Sequence, residues 1–127
     1  MKSFTDIEQS QRLAKILPLE SADMWWLYIT AQGKHIAMMY EEPDPHYLAR
    51  MESYGIKNAA IPCWSLAALI DVIPQVKLDS IKQYDKKLWR CCAYFASDWH
   101  NSDWFDNPVD ACVEMIENLR NQNTENE

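Results

Sequence analysis

Glycine is almost missing from this chain, with two in 127 residues. A glycine-rich phosphate loop, a Walker A motif and a dinucleotide fingerprint each need glycines a few residues apart, so all three are excluded. No apolar run approaches the roughly 18 to 20 residues of a membrane-spanning helix. The first residues, Met1 to Glu8, turn polar at once and lack the apolar core of a signal peptide. A cytoplasmic location and no membrane partner are therefore expected. Four cysteines occur, but neither Cys-x-x-Cys nor His-x-x-x-His does, which speaks against a structural zinc site. Without an export signal, Cys63, Cys91, Cys92 and Cys112 are expected as reduced thiols, small buried hydrophobes with no metal and no cofactor. Basic residues are also scarce, 12 against 19 acidic ones for a net charge of -7. That balance gives no general surface for phosphate contacts, so direct nucleic-acid binding is not expected. Lys82, Lys86, Lys87 and Arg90 make the one local cluster, read as a solvated turn and strand edge.

What is abundant is large rings, six tryptophans and six tyrosines. Such side chains fill cores and anchor interfaces, and a short chain has difficulty hiding them all. The clearest helix start lies near the end. Asn107 suits an N-cap, Pro108 the first helical position and Asp110 the position three after the cap. Val109, Cys112, Val113, Ile116 and Leu119 then follow a three-four spacing, which predicts a helix docking by one apolar face.

Along the chain, Thr5 to Leu17 reads as a helix with Thr5 and Glu8 in capping-box register. Its inner face is Ile7, Leu13, Ala14 and Leu17, and Pro18 is its stop. Asp23 to Ala31 and His35 to Tyr40 read as a hairpin turning at Gln32-Gly33. Glu41 to Pro45 is a loop, and His46 to Tyr54 a short helix ending at Gly55. Ser65 caps a helix whose buried side is Leu66, Leu69, Ile70 and Ile73 before Pro74. Val76 to Gln83 and Lys87 to Phe95 form a second hairpin around Tyr84-Asp85-Lys86. Ser97 to Ser102 is a polar loop, Asp103 to Phe105 pairs briefly, and Asn121 to Glu127 is a disordered polar tail. The whole reads as one α+β domain over residues 1–120, an antiparallel sheet of about four strands with helices packed on it, in the order α-β-β-α-β-β-α.

Two places can carry contacts. The loop Asp98, Trp99 and His100 spends a tryptophan on a turn. One sheet face would gather Trp26, Tyr28, His35, Arg90 and Tyr94, mixing aromatic platforms with a cation. A helix covering that face, self-association and a ligand are the three readings of it. Catalysis has less support: Cys63 is the only cysteine near a helix start, and Asp98, Asp103 and Asp106 are accounted for as turn and helix-approach acids.

Three stretches carry a resemblance. The opening Phe4 to Met24, the central Ile61 to Ile70, and Asn107 to Ile116 with its Asn-Pro-Val-Asp-Ala start resemble small uncharacterised proteins of gut Bacteroidales prophages and other mobile elements. The closing strand, acidic loop and capped helix are also similar to phage α-β-α sandwich domains. The resemblance covers the two ends and the middle, leaves Gly33 to Ala60 aside, and implies a fold and a phage-like origin but no activity. The expected function is thus a non-enzymatic protein acting on a protein partner, with self-association through exposed aromatics left open. An acidic nucleic-acid mimic that inhibits a host protein is the first alternative. A nucleotide-binding or sequestering protein, with Arg90 as the anion contact, is the second.

Overall fold

The computed structural model describes residues 1–39 and 42–125, with 122–125 as helix backbone only. Tyr40 at the end of the expected second strand, Glu41 in the acidic loop and the last two residues of the expected tail lie outside the described residues. The architecture is α+β, with four α-helices and two three-stranded antiparallel sheets among the described residues. A single four-stranded sheet was expected, and the difference has a definite cause. Two unanticipated strands take the free sides of the two central strands, so each hairpin completes its own sheet. The chain divides accordingly into two compact units, Asp6–Trp64 and Met1–Thr5 with Ser65–Glu127. The first is an insertion in the second.

The inserted unit opens with α1, Ile7–Leu13. Its cap is Asp6, not Thr5. Asp6 Oδ1 accepts from the Gln9 backbone N–H at 2.8 Å, and Gln9 Oε1 accepts from the Asp6 N–H at 3.1 Å, a reciprocal capping box. The register moves by one because Thr5 is fully buried. The inner face moves with it, to Gln9, Ser10 and Leu13, leaving Ala14 exposed. β1 (Met24–Ile29) is central, between β2 (Lys34–Met38) and β3 (Ala60–Cys63). Trp26 thereby lies opposite Ala37 on one side and Ile61 on the other. Both hydrogen-bonding edges of β1 are thus paired. α2 (Pro45–Ser53) starts on Asp44, whose carboxylate accepts from the His46 N–H, and Tyr47 of this helix donates its hydroxyl to the Tyr28 carbonyl. Trp64 closes the unit, with no exposed surface and its indole N–H donating to Ser21 Oγ at 2.9 Å.

The flanking unit has α3 (Leu66–Val72), β4 (Val76–Gln83), β5 (Lys86–Phe95), β6 (Asp98–Asn101) and α4 (Pro108–Glu125). β5 is central, and β6 occupies most of the stretch expected as a polar loop. Asp103 to Phe105 pairs as expected, through two hydrogen bonds between Phe105 and Trp89. α4 begins as the sequence dictates, with Asn107 Oδ1 accepting from the Asp110 N–H at 2.8 Å. Its backbone continues to Glu125, through residues assigned above to a tail. Val109, Cys112, Val113, Ile116 and Leu119 are all buried, and the helix lies against β5 and α3. The N-terminal segment belongs here too. Ser3 accepts from the Leu66 N–H at 3.1 Å, Phe4 bridges to Ser65, and Lys2 pairs with Asp110 at 2.8 Å.

Candidate functional site

The side chains of β5 alternate between two environments. Cys91 is fully buried and its thiol is hydrogen-bonded to Cys112 of α4, so the odd-numbered side of β5 is the one α4 covers. Arg90, Cys92 and Tyr94 point the other way. Directly opposite pairs share a face, so this side also carries Asp79 (against Arg90), Lys77 (against Cys92), Trp99 (against Tyr94) and Asn101 (against Cys92). These residues form the candidate site.

At its centre Arg90 Nη2 donates to Asp79 Oδ2 at 3.0 Å, and the guanidinium lies 4.6 Å from the centre of the Trp104 ring. Arg90 Nε is buried and has no acceptor. Cys92 Sγ donates to the same Asp79 oxygen at 3.5 Å, and Lys77 Nζ lies 3.5 Å from the other. Asp79 is thus a hub for three side chains. The Arg90 hydrogen bond, then that of Cys92, hold its carboxyl below the usual carboxylate range. The reciprocal bond raises the Arg90 guanidinium. Burial and the Asp79 carboxylate push the Cys92 thiol up. That is the opposite of what a cysteine nucleophile needs, and the group is a proton donor here. At one end of the face, Tyr94 and Trp99 meet edge to face, ring centres 5.5 Å apart. Trp99 is 51% exposed, a large apolar ring left half in water.

The expected site residues do not come together as one group. Arg90, Tyr94 and Trp99 do, as described. Asp98 and His100 stand on the other side of β6, opposite Phe95 and Ala93. Asp98 accepts from its neighbour's backbone N–H, that of Trp99, and His100 Nε2 donates to the Phe95 carbonyl at 3.0 Å. Trp26, Tyr28 and His35 belong to the other sheet, so the five-residue face drawn across both hairpins has no sheet to stand on. Tyr28 and His35 are cross-strand partners with rings edge-on at 5.4 Å, and His35 Nε2 donates to the Asn58 carbonyl at 2.8 Å.

Asp79, Lys77, Cys92 and Trp104 were not singled out in the sequence as contact residues. A signal existed for Asp79: it pairs with Arg90 once the turn is shortened to Tyr84-Asp85, which brings Gln83 opposite Lys86. Among the described residues, no group of three His, Cys, Asp or Glu side chains is placed to hold a metal, and no helix is long and apolar enough to cross a membrane. Comparison with protein-family models, with curated proteins and with solved structures finds no match.

Proposed function

We propose that this chain is a non-enzymatic binding module of prophage or mobile-element type that acts by contacting a protein partner through the Arg90–Tyr94–Trp99 face of the β4-β5-β6 sheet, which is open to solvent at Trp99. The observation that carries the reading is Trp99, half exposed beside Tyr94 on a face that also holds Arg90 and Trp104. Trp, Tyr and Arg are the residue types that dominate binding energy at protein interfaces. Arg90, Tyr94 and Trp99 stand on paired strands, not on a loop, so little ordering entropy opposes contact. The Asp79 hydrogen bond holds the Arg90 guanidinium over the Trp104 ring, which suits a packed interface better than capture of a free anion. A photo-crosslinking amino acid placed at Trp99, in cells that carry the native gene, tests the proposal. A discrete adduct of one partner, lost when the crosslinker is moved to Glu52 of α2, is the expected result. Equal or absent labelling at both positions would sink it.

One observation favours a second reading. The orphaned Arg90 Nε is a buried donor without an acceptor, and a small ligand that stacks on Tyr94 and Trp99 and displaces the side chains over the guanidinium would supply one. Tryptophan fluorescence titrated with nucleoside phosphates separates the two, since saturable quenching removed by Trp99→Ala is expected only of the ligand reading.

A further inference from the structure

The lysine cluster of the β4-β5 hairpin has an arrangement that the open face does not use. Lys82 and Lys87 are directly opposite one another on the two strands, and Lys86 follows the turn. All three are exposed. Like charges placed directly across an antiparallel pair oppose strand pairing, and no carboxylate among the described residues is paired with Lys82, Lys86 or Lys87. Lys87 instead holds its ammonium 4.6 Å from the centre of the Trp89 ring, on the same face. The tip adds apolar surface: Tyr84 is 92% exposed in a left-handed backbone conformation (φ 57°), and Ile81 is 41% exposed. A hairpin end with three cations against the single carboxylate of Asp85, a stacked tryptophan and an exposed tyrosine thus projects from a chain whose net charge is -7.

We propose that this hairpin tip docks an acidic segment of a partner protein, with Lys82, Lys86 and Lys87 taking its carboxylates and Tyr84 its apolar side chains. Charge complementarity selects the occupant. A carboxylate between Lys82 and Lys87 turns a repulsive pair into two attractive ones. A long nucleic acid would carry its phosphates on past the tip and against the acidic remainder of the chain, whereas a short peptide touches the tip alone. The inference stands apart from the open face: Lys82, Lys87 and Trp89 lie on the opposite side of the strands from Arg90, Tyr94 and Trp99, and Lys86, on the same side as Arg90, sits at the turn opposite Gln83.

The test uses the full chain and two fluorescein-labelled probes, a twelve-residue peptide alternating Glu-Glu-Phe and a single-stranded oligothymidine of equal charge, each titrated by anisotropy at low and at physiological salt. The peptide is expected to bind the native chain and to lose about tenfold in affinity with Lys82→Gln and Lys87→Gln together. Lys57→Gln, a control lysine on the inserted unit, is expected to leave binding unchanged. Thermal melts run in parallel keep the outcome readable. Removing the facing cations relieves repulsion but also loses the Lys87 contact with Trp89, so the double variant is expected to melt cooperatively and close to the native chain, and a loss of binding well below that melt belongs to the contact and not to unfolding. No peptide binding, binding indifferent to the two substitutions, or tighter binding of the oligothymidine would each overturn the proposal. Open-face variants such as Trp99→Ala should leave the peptide affinity intact, which separates this inference from the function proposed above.

Discussion

At the scale of single residues, this fold depends on positions where a short polar side chain or an unusual backbone angle decides the local path. Asn107 is the plainest. It is buried, its carbonyl oxygen accepts from the Asp110 N–H, and its amide donates to the Asp106 and Asp110 carboxylates. Asn107→Ala should cost about 1 kcal/mol, read from denaturant melts, and an unchanged midpoint would mean that the cap contributes nothing. The β5-β6 turn behaves oppositely. Ala96 and Ser97 both adopt positive φ, 54° and 64°, in a two-residue hairpin loop that normally selects Asn-Gly. Each non-glycine residue there is strained, so replacing the pair by Asn-Gly should raise stability by about 1 kcal/mol. A lower melting temperature would refute that account of the turn. The thiols add a pH dependence. The hydrogen bond to Cys112 and burial raise Cys91, while burial and Asp79 raise Cys92, so in the folded chain both keep their protons beyond the ordinary thiol value of about 8.5. The unfolded chain releases those protons first, so it binds fewer of them as pH climbs, and stability must fall with rising pH above about 8.5. Melting temperatures between pH 7 and 10 should show the decline, and Cys91→Ala should flatten it.

At the scale of elements, β6 makes Trp99 a strand residue opposite Tyr94, where truncation removes a cross-strand aromatic pair and little core. Trp99→Ala is therefore expected to cost only about 0.5 to 1.5 kcal/mol. Met115→Ala, on the fully buried face of α4, should cost about 2 to 5 kcal/mol. Parallel urea melts give both numbers, and a larger loss at Trp99 would place that ring in the core and remove it from the candidate interface. The same elements show what a sequence makes legible. α4 is read correctly at its start because cap, proline and apolar spacing agree within a few residues. β4 and β5 are long enough for their apolar content to register. β3 is hidden because Pro62 sits inside it, and proline is tolerated there only because β3 has a strand on one side. β6 is hidden because Asp98-Trp99-His100-Asn101 is polar and its turn carries no glycine or asparagine. The site suffered from one residue of register. With Lys86 counted into the turn, Asp79 would face Cys91, and the Arg90–Asp79 hydrogen bond cannot be seen; with Lys86 in the strand it follows at once.

At the scale of the whole molecule, the chain crosses between its units twice, and the crossing points are neighbours. Phe4 bridges to Ser65 and Ser3 accepts from the Leu66 N–H, so the segment Asp6–Trp64 leaves and returns at one place in the flanking unit. Sequence periodicity carries no record of such an arrangement, because which strands share a sheet is settled by contacts between distant residues. The single four-stranded sheet was a reasonable reading of two hairpins, and it fails only once β3 and β6 are known to occupy the remaining sides of β1 and β5. The flanking unit draws its helix cap, its Lys2–Asp110 pair, its sheet and the packing of α4 on β5 and α3 from its own residues. Replacing Asp6–Trp64 by a short Gly-Ser linker should accordingly leave a chain that melts cooperatively, since closing so short a loop costs little entropy. Dropping Met1–Thr5 from that shortened chain should lower its melting point, because Ser3, Phe4 and Lys2 would all be lost together. Dispersed amide resonances with the linker in place, and a lower midpoint without the N-terminal segment, are the expected pair of results. A linker variant that shows only the narrow amide range of an unfolded chain would mean that the flanking unit depends on the insertion, and the candidate interface would then have to be understood as a property of both.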